Sequence, residues 1–403
     1  MNRQVLWHEQ FAFPHVQGPL RRPLPAGEAA PAADDGIPPR KLYVELTTEC
    51  NLDCAMCIRS SWRSPGGTMP AETFARLLEQ LGALPELRTI NLSGFGEPMA
   101  HPAFFEFVAQ AKAAGLAVEV ITNGTLLDED ASGRLIDLGL DRLVVSVDGI
   151  APDASRGLHD GTFPQVAEAL RRLHHMRLSR QVARPEVGIE FVATRRNIHE
   201  LPQLRTLGLM LGFGSILVTN VIPHTPELAE QTLYERHSTA CRPRRATPAN
   251  PVVDLPLLDA NSPAGEAVEH LRGVGASLRV NGAAVSGIGP RCRFVTEGRL
   301  AVRWDGQVSP CLALLHDHTY FFRRRPRSVR AYPLGNVNEV PLAAIWAAEE
   351  YRAFRDRVRR WEFSPCIDCG ACDLRDSNAR DCTEGPFPRC GECLWAAGIV
   401  QCP

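Results

Sequence analysis

The chain has 403 residues, a formal net charge of −2 and a charged fraction of 22%. A chain of this length can bury a substantial core and exceeds one domain of average size. No apolar run approaches the roughly 20 residues of a membrane-spanning helix, and no long basic tract offers the clustered cations that nucleic-acid binding requires. The composition therefore predicts a soluble protein that has neither a membrane nor a nucleic acid as its partner. Since the N-terminus MNRQVLWHEQ lacks the apolar core of a secretory signal, we expect a cytoplasmic location.

Residues 1–39 are rich in Pro, Ala and Gly and are expected to form a flexible leader. From residue 40, short β-rich runs alternate with helical patterns, which is typical of a βα series around a parallel sheet. Strands are expected at 41–46, 88–93, 117–122, 142–147, 187–194 and 215–222, with helices between them, as at 71–81, 102–115 and 163–176. Six units are too few for an eight-fold barrel. The predicted fold over 40–235 is therefore α/β, a partial (βα)6 TIM-like barrel with its chemistry at the carboxyl ends of the strands.

The remainder is predicted to be a Pro-rich connector at 236–288, with a helix at 264–275, followed by a smaller cysteine-rich domain at 289–403. That domain opens with a hairpin, RLAVRW and QVSPCL, across the turn at Asp305 and Gly306. It continues with an amphipathic helix at 342–358. The basic stretch at 321–330 is interpreted as a solvated loop, with docking to an acidic partner as the alternative.

Thirteen cysteines in a chain without an export signal favour metal or redox chemistry over structural disulfides. Three of them, Cys50, Cys54 and Cys57, lie in one short segment after the first predicted strand. A structural zinc site takes four ligands in two separated pairs, whereas an iron–sulfur cluster held by three cysteines leaves one iron open to a non-protein ligand. The open-iron cluster is therefore the favoured interpretation. A zinc knuckle or chance clustering is the alternative.

The spacing C-x3-C-x2-C directly after the first strand resembles the radical S-adenosylmethionine (SAM) superfamily. This resemblance implies a 4Fe–4S cluster whose open iron chelates SAM, and reductive cleavage of SAM to a 5′-deoxyadenosyl radical. Many members of the superfamily have an aromatic residue close to the last cysteine, where this chain has Met56 and Ile58 on either side of Cys57.

Polar and glycine residues at the ends of the following strands extend the resemblance. SGFGEP (93–98) matches the glycine-rich segment that binds the SAM amino group, and glycine is needed where backbone approaches a ligand closely. The residues that the resemblance implies for SAM binding are Gly94, Gly96, Glu97, Asn123, Ser146, Asp148 and Arg195. Arg195 would pair with the SAM carboxylate. The alternative is that the polar residues are ordinary turn residues and that Arg195 is simply exposed.

A second cysteine region begins with C-x13-G-x4-C, which runs from Cys292 through Gly306 to Cys311 and resembles the opening of a SPASM domain. The resemblance implies one or two auxiliary 4Fe–4S clusters. The predicted ligands are Cys292, Cys311, Cys366, Cys369, Cys372, Cys382, Cys390, Cys393 and Cys402. Two complete clusters need eight thiols and this region has nine, and its spacing departs from the common SPASM pattern, so individual assignments stay open. A zinc ribbon is the alternative for the two CxxC pairs.

The phrases CIRSSW and CGECLWAAGIVQCP resemble the radical SAM maturases linked to tungsten-containing aldehyde:ferredoxin-type oxidoreductases. The resemblance implies an enzyme that matures a protein or its cofactor, principally a tungsten-containing oxidoreductase. Its implied partners are SAM, a ferredoxin or flavodoxin as electron donor, and a client oxidoreductase.

Other functions stay open. One is modification of a ribosomal peptide by crosslinking or side-chain oxidation, with that peptide as substrate. The short Pro/Ala-rich N-terminal segment disfavours it, because many such enzymes begin with a larger leader-binding domain. A sulfatase-type maturase is disfavoured further, because Leu312 follows Cys311 where those enzymes have an acid. A third class is a non-catalytic iron–sulfur electron-transfer protein.

Overall fold

The computed structural model describes residues 36–150, 162–234, 292–322, 325–364, 366 and 373–402, and the backbone of three short strands between 252 and 284. The predicted leader up to residue 35 and the predicted helix at 264–275 lie outside these residues. Within the described residues, no helix is both long and apolar enough to cross a membrane.

Strands and helices alternate along the first half of the chain, as the sequence predicts. The strands are β1 (Lys41–Glu45), β2 (Thr89–Ser93), β3 (Ala117–Thr122), β4 (Arg142–Val147), β5 (Glu186–Ala193) and β6 (Ser215–Asn220). The helices are α1 (Ala71–Gln80), α2 (Phe104–Ala113), α3 (Glu129–Asp137), α4 (Phe163–Ser179), α5 (Leu201–Leu211) and α6 (Pro226–Ala229). Each strand pairs in parallel with the next. The predicted α/β fold with six parallel strands is confirmed.

Local chemistry explains where these elements form. Strands such as β2 and β4 are rich in Val, Ile and Leu because nearly every residue in them is buried, whichever face it points to. At the start of α3 the Asp128 carboxylate accepts a hydrogen bond from the Ala131 N–H at 2.8 Å, which caps the helix. At the end of α5 the chain turns at Gly212, whose φ is 73°.

The second half adds two small sheets and a group of helices. The strands are β7 (Val252–Leu255), β8 (Ser277–Val280), β9 (Ala283–Ala284), β10 (Arg299–Val302), β11 (Gln307–Ser309), β12 (His318–Phe322), β13 (Arg325–Val329) and β14 (Gly335–Asn336). The helices are α7 (Arg293–Thr296), α8 (Leu342–Ala347) and α9 (Glu349–Arg360). Strands β7 to β9 form one sheet and β12 with β13 another.

The predicted hairpin forms, and it joins the main sheet. Strands β10 and β11 pair antiparallel, while β10 also pairs in parallel with β1, in register from Lys41 opposite Arg299 to Val44 opposite Val302. The resulting nine-stranded sheet has the order β14-β11-β10-β1-β2-β3-β4-β5-β6. The second cysteine region is therefore built directly onto the first strand of the βα series, a connection that the hairpin pattern alone does not reveal.

Two sequence expectations for this region are wrong. The basic stretch at 321–330 forms most of the β12–β13 hairpin instead of a solvated loop, and Arg327 within it is buried. The single helix expected at 342–358 is divided into α8 and α9 at Ala348, whose backbone is extended. The break lets the Arg355 guanidinium fold back, donate to the Trp346 carbonyl at 2.9 Å and lie over the Trp346 ring.

Gly306 makes the turn between β10 and β11 possible. Its φ is +86°, and a Cβ there would lie 2.6 Å from both Asn336 Oδ1 and Asn338 Nδ2. A side chain at this position is therefore both strained and crowded, which gives a physical reason for the glycine in the C-x13-G-x4-C pattern.

We expect Gly306→Ala to destabilise the protein by about 1–2 kcal/mol, because an L-residue pays that much in the left-handed region, with added cost from the crowding. Thermal unfolding of the reconstituted protein measures it. Gly214→Ala is the matched control, because a Cβ at Gly214 would have no atom within 4 Å of it. Equal unfolding temperatures for the two variants would contradict this interpretation of Gly306.

Candidate active site

Cys50, Cys54 and Cys57 line one cleft at the carboxyl ends of the parallel strands. All three side chains are half-buried. The loop is tightened by a hydrogen bond from the Cys57 N–H to the Cys54 carbonyl at 2.9 Å, and the Leu52 N–H donates to Cys50 Sγ at 3.4 Å. Sulfur acceptors with backbone donors beside them suit an iron–sulfur cluster, whose charge such hydrogen bonds stabilise.

Arg59 ties this loop together. Its Nε donates to Cys57 Sγ at 3.2 Å, and its Nη1 and Nη2 donate to the carbonyls of Thr48 at 2.7 Å and Leu52 at 3.3 Å. One planar side chain therefore links the end of the first strand, the middle of the loop and the sulfur of the last cysteine. The sequence pattern singles out the CIRSSW phrase but not this function of its arginine.

The glycine-rich segment packs directly against the cysteine loop. A Cβ on Gly96 would lie 2.3 Å from the Thr47 carbonyl oxygen and 2.5 Å from that of Glu49, and the Glu97 N–H donates to the Glu49 carbonyl at 2.8 Å. Gly94, with φ +149°, lies against the Glu45 side chain in the same way. Gly96 thus permits backbone to pack on backbone, Gly94 permits backbone to pack on a side chain, and both line the cleft.

Glu97 holds two strand ends in place. Its buried carboxylate accepts hydrogen bonds from the Met99 N–H at 3.0 Å, the Thr122 hydroxyl at 2.8 Å and the Asn123 N–H at 2.7 Å. Asn123 in turn donates to Asn51 Oδ1 at 2.9 Å. Burial raises the pKa of Glu97, opposed by these hydrogen bonds. Glu97 and Asn123 therefore hold the ends of β2 and β3 against the cysteine loop. Both residues also line the cleft.

The far wall of the cleft is acidic. Ser146 in β4, Asp148 just after it and Glu190 in β5 line this wall, and Glu190 lies opposite Ser146 in the β4–β5 register. Burial, and then the neighbouring Asp148, raise the pKa of Glu190 to about 7. The cleft encloses about 1240 Å³, its open mouth included.

Arg195 is not brought to this cleft. It is exposed, does not line the cleft, and its Nε donates to the Thr232 carbonyl at 3.0 Å. The other predicted SAM-binding residues all line the cleft together. The difference arises because Arg195 follows the end of β5, where the chain turns outward toward 231–232.

A second cavity gathers four of the C-terminal cysteines. It is lined by Cys292, Cys311, Cys390 and Cys393. Burial, followed by the neighbouring thiols, raises the pKa of Cys292 to about 12 and that of Cys311 well above its usual value. Four such sulfurs around one cavity fit a 4Fe–4S cluster, whose positive irons offset the cost of burying thiolates.

A buried ion pair forms part of the wall of this cavity. Arg327 Nη1 lies 3.0 Å from Glu392 Oε2, with side-chain exposures of 5% and 1%. The Tyr320 hydroxyl donates to the Glu392 backbone carbonyl at 2.8 Å. A fixed charge pair beside a cluster is one of the means by which a protein sets its reduction potential.

Among the described residues, no three His, Cys, Asp or Glu side chains converge closely enough to hold a single metal ion.

The remaining predicted ligands divide into two places. Cys366 and Cys382 lie on either side of Ser364: the Cys366 N–H donates to the Ser364 carbonyl at 2.7 Å, and Ser364 Oγ is 2.8 Å from Cys382 Sγ. Cys369 and Cys372 lie outside the described residues. Cys402 lines the main cleft instead, and does not line the four-thiol cavity.

The segment that follows the cysteine loop docks the second region onto the first. The Trp62 ring stacks on His316 with a centroid separation of 3.9 Å, and His316 Nε2 lies 2.8 Å from Glu45 Oε2 at the end of β1. The Thr319 N–H donates to Ser61 Oγ at 3.2 Å. The IRSSW phrase therefore serves as an anchor between the two cysteine regions.

Sequence reasoning missed Glu190, Trp395 and the position of Cys402. An acid inside a β-strand with hydrophobic neighbours on both sides, GIEFV, is the one signal that points to Glu190. Trp395 and Cys402 lie in the tail phrase, where nothing in the spacing shows that the chain returns to the first cleft.

Comparisons with known proteins agree with this geometry. Residues 44–190 match the radical SAM superfamily, and residues 292–373 match the SPASM iron–sulfur cluster-binding domain. The tungsten-containing aldehyde ferredoxin oxidoreductase cofactor-modifying protein of Pyrococcus furiosus is 32% identical over 367 residues, which cover 90% of this chain and 96% of that protein. The PqqA peptide cyclase of Gluconobacter oxydans is 31% identical over 187 residues, 45% of this chain and 49% of that protein. Among solved structures, Streptococcus suis SuiB bound to SAM has a similar fold, with a TM-score of 0.53, 14% identity and coverage of 83% of this chain and 71% of that one.

Arg59→Lys should weaken the first cysteine loop, because a lysine cannot reproduce three hydrogen bonds in one plane. Loss of an outer partner of this kind typically costs roughly 10- to 100-fold in metal affinity or activity. Iron retention of the reconstituted protein under a chelator measures the effect. Arg63→Lys, at an exposed position in the same segment, is the control, and equal iron loss from both variants would contradict the proposed anchoring function.

The raised pKa of Glu190 predicts a pH-dependent stability. The unfolded chain releases this proton near pH 4.5 and the native protein near pH 7, so native stability falls as the pH rises between those values. Glu190→Gln stays neutral. At pH 8 the variant should therefore be more stable than the parent by roughly 3 kcal/mol, and the difference should shrink toward pH 5.

Urea unfolding of the reconstituted proteins between pH 5 and pH 8 measures this difference. Glu186→Gln, at the exposed start of the same strand, serves as the control and should show no such trend. A stability difference for Glu190→Gln that does not change with pH would show that the carboxyl is not held neutral in the native state.

Proposed function

Because the chain belongs to the radical SAM superfamily and carries a SPASM iron–sulfur domain, we propose that it matures a tungsten-containing oxidoreductase, acting on its cofactor or on the polypeptide that holds it. The proposal is supported most by the Pyrococcus furiosus relative, since that similarity extends over 90% of this chain and so includes the tail as well as the radical SAM core.

The first cysteine loop supports the reaction class. Cys50, Cys54 and Cys57 would hold a 4Fe–4S cluster that, when bound, supplies the electron for cleaving SAM to a 5′-deoxyadenosyl radical. The chain's own residues would bind and orient SAM. The glycine-rich segment lines the cleft beside the cysteine loop, and Asn123 and Asp148 offer polar atoms along the cleft.

The second region supports two auxiliary clusters. Cys292, Cys311, Cys390 and Cys393 are assigned to one, because they line one cavity. A second would use Cys366 and Cys382, which flank Ser364, together with Cys369 and Cys372. This assignment uses eight of the nine cysteines. The electron donor is proposed to be a ferredoxin or flavodoxin.

Modification of a ribosomal peptide is the second candidate. It is favoured by the similarity to a peptide cyclase, which is limited to about half of each chain. In the sulfatase-type variant of this chemistry an acid follows the second cysteine of the SPASM opening. Here Leu312 lies at that place and lines the cleft. Any proton acceptor in the cleft must therefore come from elsewhere, and the acids that line it are Glu97, Asp148 and Glu190.

The test is SAM cleavage by the anaerobically reconstituted protein with dithionite, in the presence of different clients. We expect a tungsten oxidoreductase in its immature form, supplied with its pterin cofactor, to raise the yield of 5′-deoxyadenosine many-fold and to emerge chemically changed in mass spectra. Stimulation by a small cysteine-rich precursor peptide alone would favour the second candidate. Absence of any 5′-deoxyadenosine would favour a non-catalytic electron-transfer protein.

A further inference from the structure

One cysteine of the C-terminal region stands apart from the others. The four-thiol cavity and the Ser364 neighbourhood account for six of the nine cysteines, and Cys369 and Cys372 complete the eight that two clusters need. Cys402 is the ninth. It lines the SAM cleft and, on its other side, a pocket that it shares with Cys292, but it does not line the four-thiol cavity.

The end of the tail is held in this position by hydrogen bonds to the last strand. Asn220 Nδ2 donates to the Ile399 carbonyl at 2.8 Å, and the Gln401 N–H donates to Thr219 Oγ1 at 2.9 Å. These contacts fix the backbone on both sides of Val400. The segment that leads to Cys402 is therefore held against β6 at the edge of the cleft.

Two groups of the cleft act on the Cys402 sulfur. The Trp395 indole Nε1–H donates to Cys402 Sγ at 3.0 Å, and burial, followed by the neighbouring Glu190 carboxyl, raises the pKa of the thiol. Trp395 also lines the four-thiol cavity. The indole thus lies between the auxiliary site and the thiol.

We propose that Cys402 is a cleft thiol instead of a cluster ligand, and that its S–H bond gives a hydrogen atom to a carbon-centred radical formed in the cleft. The inference rests on the proposed function, because it requires SAM cleavage there. An S–H bond is weaker than an alkyl C–H bond, and it is also weaker than the hydroxyl O–H, amide N–H and indole N–H bonds of the surrounding residues. The thiol is therefore the exchangeable hydrogen that a carbon radical takes most readily.

In this step the S–H bond of Cys402 breaks homolytically, a C–H bond forms, and a sulfur-centred radical remains on Cys402. One electron from a low-potential one-electron reductant, dithionite in the assay, and one proton restore the thiol. Glu190, a carboxyl that burial keeps partly protonated near neutral pH by raising its pKa, is the nearby proton source. Burial likewise raises the pKa of Cys402 and keeps its thiol protonated.

The probe is SAM itself in D2O, with no client. Protein reconstituted with iron and sulfide, and freed of soluble thiols, is reduced with dithionite, and the deuterium content of the 5′-deoxyadenosine is measured by mass spectrometry. We expect solvent deuterium in the product of the parent protein, and a loss of at least several-fold in that fraction for Cys402→Ser and Cys402→Ala. Cys241→Ser, which changes a cysteine assigned to no cluster, should keep the parent labelling.

Iron content and the electron paramagnetic resonance spectrum of the reduced clusters are measured on the same samples. Both should be unchanged in Cys402→Ser, because the thiol is not a ligand. Loss of about four irons per chain in that variant would show that Cys402 holds a cluster, and unchanged deuterium labelling would show that it is not the donor. If the parent protein forms no 5′-deoxyadenosine, the proposed function fails first, which separates the two failures.

Discussion

Parallel pairing of β1 with β10 is the constraint on which the arrangement of the sites depends. The carboxyl end of β1 leads into the cysteine loop, while its edge carries the first strand of the second cysteine region. The pairing is reinforced by the Arg299 guanidinium, which donates to the Tyr43 hydroxyl at 2.8 Å. One hydrophobic core then runs through both halves of the chain. Since one strand sets the position of both regions, neither can shift without moving the other.

The same physical logic explains the side chains between the two regions. The His316 ring contacts the buried Glu45 carboxyl at the end of β1. Trp62, in the segment after the cysteine loop, stacks on the His316 ring. The C-terminal tail contributes Trp395 and Cys402 to the lining of the same cleft. The cleft is therefore built from three distant parts of the sequence, and each contributes a group that the sheet alone could not place.

Much of this could be predicted from the sequence. The β-strands and the cysteine loop follow from short-range patterns, because periodicity and ligand spacing are local properties, and SGFGEP lies at a strand end where a parallel sheet collects such segments. The β10–β1 pairing could not be predicted, because it joins residues more than 250 positions apart without a spacing signal. The same limit applies to Cys402, which cysteine counting groups with its neighbours in sequence, and to Arg195, whose strand end turns away from the cleft.

The central claim is that Cys50, Cys54 and Cys57 form a cluster site for SAM that is separate from the thiols of the second region. The most direct measurement is iron content together with 5′-deoxyadenosine formation for the variant that combines Cys50→Ala, Cys54→Ala and Cys57→Ala. We predict loss of about four irons per chain, retention of the remaining clusters, and no cleavage of SAM. Cleavage of SAM by this variant at the rate of the parent protein would contradict the claim.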